Sequence, residues 1–193
     1  MAYRTTTYAI LGILAIHSDL SGYEIRRIIQ QSVGFFWGES YGQIYPTLRR
    51  LAAEGLIAEE PSTAPGARKR RAYSITPAGR RLLTEWLAAP YRIDPPRDEF
   101  LMKLFFGIEA APAVSIAHIE RFQQDHRQLL STLIELEKLV RAHNSGHPGF
   151  PFWMLTLNYG LAQIRAALEW SESALATLNA MNPGEESASH AAD

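Results

Sequence analysis

The chain has 193 residues, 47% of them hydrophobic, with a formal net charge of −1 and no cysteine. That length holds one domain with a sizeable core or two small ones. The missing cysteines exclude a disulfide scaffold, thiol catalysis and thiolate-held metal, and they fit a cytoplasmic protein. The charge conceals an asymmetry. Up to Pro90, eleven Lys/Arg stand against seven Asp/Glu, a net of +4; beyond it, eight stand against thirteen, a net of −5. A basic front half and an acidic back half suit one part that faces nucleic acid and another that faces something else.

In chain order, the first predicted element is a helix over residues 5–16, apolar on most sides and therefore packed in a core or an interface. Its apolar run is too short to cross a bilayer, and the basic start and small-residue cleavage site of a signal peptide are poor. Ser21, Gly22, Tyr23 and Glu24 form a capping box. The helix they open runs to about Val33, burying Ile25, Ile28 and Ile29 and exposing Arg26, Arg27, Gln30 and Gln31, and Gly34 ends it. An aromatic connector, Phe35-Phe36-Trp37, and Gly38 then lead to residues 40–56.

In that stretch Ile44, Leu48 and Leu51 make one apolar stripe, while Gln43, Tyr45, Thr47, Arg49 and Arg50 offer donors or positive charge with no acid among them. Pro46 faces Gly42 four residues back, so the expected helix starts near Ser40 and bends through the proline. Gly55 suits the left-handed position beyond the last turn, with Leu56 folding back on Leu51. A short helix with a hydrogen-bonding, uncharged or basic face is what a DNA major groove admits; an ordinary helix with its polar side in water is the competing reading.

Two strand-like runs follow, 56–60 and 72–75, separated by a turn-forming loop that ends in Arg68, Lys69, Arg70 and Arg71. Two capped helices and a hairpin with a basic tip have the layout of a winged helix. Taken alone, such a basic run is a solvated loop; placed after a candidate recognition helix, it reaches along DNA to phosphates or the minor groove. Thr76-Pro77 caps the next helix, which carries Leu82, Leu83, Trp86 and Leu87. Two prolines within 91–96 mark a hinge.

Beyond Arg97 the chain reads as nearly all helix. After an apolar segment at 98–107, Ile119, Phe122, His126, Leu129, Leu133, Leu136 and Val140 alternate three- and four-residue steps, and Leu157, Leu161, Ile164, Leu168, Ser171, Leu175 and Leu178 repeat the pattern. A second face of the last helix carries Trp153, Gly160, Ala167 and Trp170, and a second copy of the chain is the simplest cover for it. The expected domains are therefore 1–90, a hinge at 91–96, a helical dimerisation domain at 97–180 and a disordered polar tail at 181–193. The fold class is mostly α: an N-terminal winged helix-turn-helix with a small two-stranded β wing, followed by long helices.

Those segments — SGYEI at 21–25, YGQIYPTLRRLAAEGLI at 41–57, RKRRAYSITPAGRRLL at 68–83 and DEFLMKLFFG at 98–107 — resemble the PadR family of bacterial transcriptional regulators. Residues 152–175 are similar to the helical C-terminal domain of the virulence activator alpha type. The resemblance covers the chain to about Leu178. It implies a homodimer on an inverted-repeat operator in double-stranded DNA, usually repressing a nearby gene and released by a hydrophobic or aromatic small molecule. It places Ser40, Tyr41, Gln43 and Tyr45 at the groove, Tyr23 and Arg49 on phosphates, and Lys69, Arg70 and Arg71 in the wing contact. Gln43 suits a base edge, since an amide pairs bidentately with adenine. For Tyr41 and Tyr45, packing against the wing or supporting helix stands level with DNA contact, and Arg26, Arg27 and Arg50 read as solvated charges. Activation by the same fold, or an adaptor that binds no DNA, are the alternatives.

No catalytic set, phosphate loop or cofactor motif emerges. His143 and His147 sit in a turn with no third ligand nearby, so no metal is expected. His126 reads as a hydrogen-bonded core residue, with a pH switch as the lesser reading. The aromatic excess either fills a dimer core or lines an effector pocket, for which Trp86, Phe105, Trp153 and Tyr159 are the candidates.

Overall fold

The computed structural model describes residues 3–36, 41–61, 71–91 and 97–181. The chain divides into two compact units, Met1–Ile93 and Asp94–Asp193.

In the first unit, α1 (Thr5–Ile16) is the central post, and its Ile10, Leu11 and Leu14 are buried. A turn through Asp19, whose φ of 59° is a left-handed conformation that aspartate tolerates, leads into β1 (Leu20–Ser21). The capping box then opens α2 (Gly22–Ser32). The Ser21 Oγ accepts from the Glu24 amide, and the Glu24 carboxylate accepts from the Ser21 amide at 2.8 Å. A 3-10 turn (Tyr41–Gln43) precedes α3 (Ile44–Ala53).

This start corrects the expected bent helix from Ser40, a residue outside the described ones. The α-helix begins at Ile44, so Pro46 falls in its first turn, where an amide would have had no intrahelical partner. The far end follows the expectation: Gly55 has φ +69°, its amide donates to Ala52, and the Leu56 amide donates to the Leu51 carbonyl at 2.9 Å. That is the paired bond set of a glycine-terminated helix.

β2 (Ile57–Pro61) and β3 (Arg71–Ile75) form the antiparallel hairpin. The sheet has three strands rather than two, in the order β1-β3-β2, because Leu20 and Ser21 pair with Tyr73 and Ala72. A two-residue strand leaves no periodicity to read, which is why the sequence does not announce it. Thr76 caps α4 (Pro77–Ala88), accepting from the Gly79 amide and donating its hydroxyl to the Gly55 and Leu56 carbonyls. Leu83 of α4 joins Ile25, Ile44, Leu48, Leu51 and Ile57 around α1 in one core.

In the second unit, Asp98 caps α5 (Glu99–Phe105) and a 3-10 turn (Gly107–Glu109) follows. The helices α6 (Pro112–Asn144) and α7 (Phe150–Met181) pack along each other through the predicted seams. Ile119 and Leu133 are buried on α6, and Leu157, Leu161, Ile164 and Ser171 on α7. The second face of α7 differs from expectation. Gly160 is buried, and Trp170 meets Phe100 and Phe122 edge-on at 5.9 and 5.7 Å. Trp170 stays 40% exposed, and the most exposed apolar residues of α7 are Phe152, Leu155, Tyr159 and Met181. On α5, Leu101, Met102 and Phe105 are exposed, as are Phe106 and Ile108 just after it. The proposed hinge residues 92–96 and the tail from 182 onward lie outside the described residues.

Candidate nucleic-acid interface

The geometry centres on a residue the sequence did not single out. Tyr73, in the middle strand of the sheet, is 7% exposed and pairs with Leu20 on one side and Glu59 on the other. Burial pushes its phenol above the ordinary value and the Glu59 carboxylate adds to the push, while Arg71 and Arg49 pull it down. Tyr45 also lies within electrostatic reach. The base of the wing (Arg71) and two residues of α3 (Tyr45, Arg49) thus all act electrostatically on one side chain of the middle strand. An aromatic residue at a central strand position, two residues after a basic run, was the available signal for it.

Each candidate contact residue has a definite place. Gln43 is exposed at the N-cap of α3, and its amide makes no capping hydrogen bond. Arg49 is exposed on the next turn. Tyr45 is 48% exposed, yet its ring lies against Gly22 at the start of α2, so packing and outward presentation coexist. Tyr23 is exposed at the second position of α2. Tyr41 opens the 3-10 turn. Arg71 forms an ion pair with Glu59 across the hairpin at 2.6 Å. A surface pair of this kind contributes about 0–1 kcal/mol, so a phosphate can displace it. Ser40, Lys69 and Arg70 lie outside the described residues.

Arg50 is not simply a solvated charge. Its Nη2 donates to the buried Thr7 hydroxyl at 2.7 Å, and its guanidinium lies 5.3 Å from the Tyr3 ring centroid. The Tyr3 hydroxyl in turn donates to Glu54 at 3.0 Å, which holds that phenol above its ordinary value.

The four effector candidates are not brought together within one unit. Trp86 belongs to α4 and stacks face to face on Tyr8 at 4.5 Å. Phe105 is 81% exposed at the end of α5. Trp153 stacks on His147 at 4.6 Å, and Tyr159 accepts a hydrogen bond from Gln163. Phe100 of α5 meets Trp170, roughly 25 Å along α7 from Trp153. Around Phe122 a compact stack forms instead: Phe100 lies on it at 4.6 Å and His126 at 3.8 Å. The His126 Nδ1 sits 2.8 Å from the Phe122 carbonyl, which can only accept, so Nδ1 carries the proton. Among the described residues no three His, Cys, Asp or Glu side chains gather as a metal site. None of the described helices is long and apolar enough to cross a membrane.

A helix pair, a recognition-type helix and a β-hairpin wing in one unit, with long helices in the other, define a winged-helix regulator of the DNA-binding class. Comparison with known proteins narrows the class. Residues 10–85 match the model of the transcriptional regulator PadR-like family, and residues 96–179 match that of the virulence activator alpha C-terminal domain. The negative transcriptional regulator PadR of Bacillus subtilis (strain 168) is 29% identical over 181 residues, 91% of this chain and 98% of its own length. The crystal structure of Bacillus subtilis PadR in complex with operator DNA aligns with a TM-score of 0.77 at 28% identity, covering 91% of this chain and 99% of that one. That of the same protein in complex with p-coumaric acid aligns with a TM-score of 0.73 at 30% identity and the same coverage. The chain belongs to the PadR-like family of transcriptional regulators, a family of regulators rather than enzymes.

Proposed function

We propose that the protein is a dimeric repressor that binds an inverted-repeat operator and leaves it when a small aromatic or hydrophobic effector binds. The observation that carries the DNA contact is the exposed, acid-free face of α3 (Gln43, Tyr45, Arg49), followed by a hairpin whose β3 opens with the exposed Arg71. In this reading Gln43 reads a base edge, a contact worth about 1–3 kcal/mol of discrimination. Tyr23, Arg49 and the wing residues Lys69, Arg70 and Arg71 take phosphates, with Ser40 and Tyr41 beside them.

Dimerisation is supported by the apolar surface of the second unit, where Phe105, Ile108, Phe152 and Leu155 are each more than two-thirds exposed or close to it. A twofold pair would set the recognition helices about 34 Å apart, one turn of DNA. An aromatic effector is supported by the relative solved with p-coumaric acid. To act, such a ligand must bind better to the arrangement with the wrong helix spacing, since equal affinity for both arrangements shifts nothing. Trp86, Phe105, Trp153 and Tyr159 each remain individual candidates for contact with it. Repression or activation depends on where the operator lies relative to the promoter.

The test is a mobility shift on the DNA upstream of the coding sequence, over a range of salt, with and without p-coumaric acid. Log affinity should fall linearly with log salt. Salt-independent binding, or none, would leave an adaptor that reuses the winged-helix shape.

A further inference from the structure

The helix α3 rests on the core through Ile44, Leu48 and Leu51. Hydrophobic contact is non-directional, so those three residues fix which side of the helix faces the core but tolerate a small roll about its axis. Rotation matters. With side chains ending about 5–6 Å from the axis, a 15° roll moves a tip by roughly 1.5 Å, enough to break a hydrogen bond. Directional ties must fix the roll, and the structure shows them on the α1 flank, with close ring packing on the other. On the α2 side, the Tyr45 ring lies against Gly22. On the α1 side, two residues one turn apart are tied to the start of that helix. Arg50 donates to Thr7, and Glu54 accepts from Tyr3, whose ring also lies under the Arg50 guanidinium. Tyr3 further meets Tyr8 edge-on at 6.3 Å, so the tie is anchored rather than loose. Arg49 and Arg50 are both exposed, but Arg49 makes no such tie among the described contacts.

We infer that Arg50 is a positioning residue: with Tyr3, Thr7 and Glu54 it sets the roll of the recognition helix, and it is not a phosphate ligand. Two adjacent arginines on one helix thus divide the work, with Arg49 facing the duplex and Arg50 holding the helix from behind. The inference rests on the reading that α3 faces DNA.

Salt dependence separates the two roles. Removing a phosphate contact flattens the slope of log affinity against log salt by about 0.9 and weakens all sequences alike. Removing a positioning contact misaims the helix, so it weakens the preferred sequence while leaving the slope in place. The experiment compares wild type, Arg49→Ala, Arg50→Ala, Arg50→Lys and Tyr3→Phe on the native upstream fragment and on a scrambled duplex of equal length, with thermal unfolding measured for each. Arg50→Ala is expected to lower affinity for the upstream fragment roughly tenfold, the scale of one lost hydrogen bond to a charged group. Its affinity for scrambled DNA and its salt slope should be unchanged. Tyr3→Phe, which keeps the ring, should shift preference the same way by less. Arg50→Lys keeps the charge but not the planar fork over Tyr3, so it should also lose preference; full wild-type behaviour in that variant would overturn the inference. So would a flattened slope in Arg50→Ala, or equal losses on both duplexes. If Arg50→Ala does not fold, Tyr3→Phe and Arg50→Lys decide. Failure of the underlying reading has its own signature: wild type without salt-dependent binding, or Arg49→Ala with an unchanged slope.

Discussion

The Tyr45 ring lies so close to Gly22 that a Cβ at position 22 would stand 2.8 Å from its Cε1 and 3.2 Å from the Leu48 Cδ1. Glycine at the first position of α2 is therefore what allows the recognition helix to approach the supporting one. Gly22→Ala is expected to displace the Tyr45 ring, the free end of a flexible side chain, at a cost of about 1 kcal/mol in stability. The larger effect should fall on DNA affinity. Urea unfolding beside a mobility shift on the upstream fragment checks both, and a variant that loses stability but keeps its affinity would contradict the assigned role of Tyr45.

The joint between wing and α4 should be the stability hot spot of the first unit. Thr76 caps α4 and also bonds to the Gly55 and Leu56 carbonyls. Thr76→Ala should cost about 1–2 kcal/mol by chemical denaturation. Gly79→Ala should cost more, because the new Cβ would run into the Leu56 carbonyl, which is backbone and cannot swing aside.

Replacing Lys69, Arg70 and Arg71 together with alanine should weaken binding to every duplex and flatten the salt slope. Arg71 enters the complex from an ion pair with Glu59, so freeing it releases less than a full phosphate's worth of net charge. The expected slope change therefore lies between about 1.8, for two full contacts, and about 2.7, for three.

The exposed apolar residues of the second unit give the dimer a direct test. Ile108 is 91% exposed and Phe152 70%, so charge at either place leaves the monomer core untouched. Ile108→Glu and Phe152→Glu should each shift sedimentation toward monomer while thermal unfolding at low concentration changes little. Affinity for the upstream fragment should fall with the dimer, since two half-sites can then no longer be held at once.

An alkaline limit follows from two phenols. Tyr3 is held above its ordinary value by its hydrogen bond to Glu54, and Tyr73 by burial. In both, folding favours the neutral form, so their contribution is complete below the ordinary tyrosine value of about 10. It disappears as pH rises through the higher folded value. Melting temperatures should hold steady over the neutral range and fall only above about pH 10, and Tyr3→Phe should soften that fall.

Local chemistry was legible, and particular residues show why. The capping box at Ser21 and Glu24, the Gly55 stop and the Thr76-Pro77 start each depend on residues within a few positions of one another. The heptad seams of α6 and α7 follow from spacing alone. Pro46 was misread because its effect depends on its distance from the first α-helical residue, and the 3-10 turn moved that residue to Ile44. The strand at Leu20 and Ser21 exists only because β3 passes beside it. On α7, the periodicity marked a second apolar face, but which of its residues stay exposed depended on where α5 and α6 came to lie.

The sequence by itself determined the helices and the hairpin, most of their caps and stops, the seams of the long helices and the family to which the chain belongs. These are matters of spacing and side-chain type over one or two helical turns. Only the tertiary structure decided that Arg50 bonds to Thr7, 43 residues away, while Arg49 makes no such bond among the described contacts, and that Tyr73 is buried in the middle strand of the sheet. Neighbouring residues on a helix point about 100° apart. Two arginines with the same chemistry therefore meet different surroundings, and those surroundings are fixed by parts of the chain that come close only after folding.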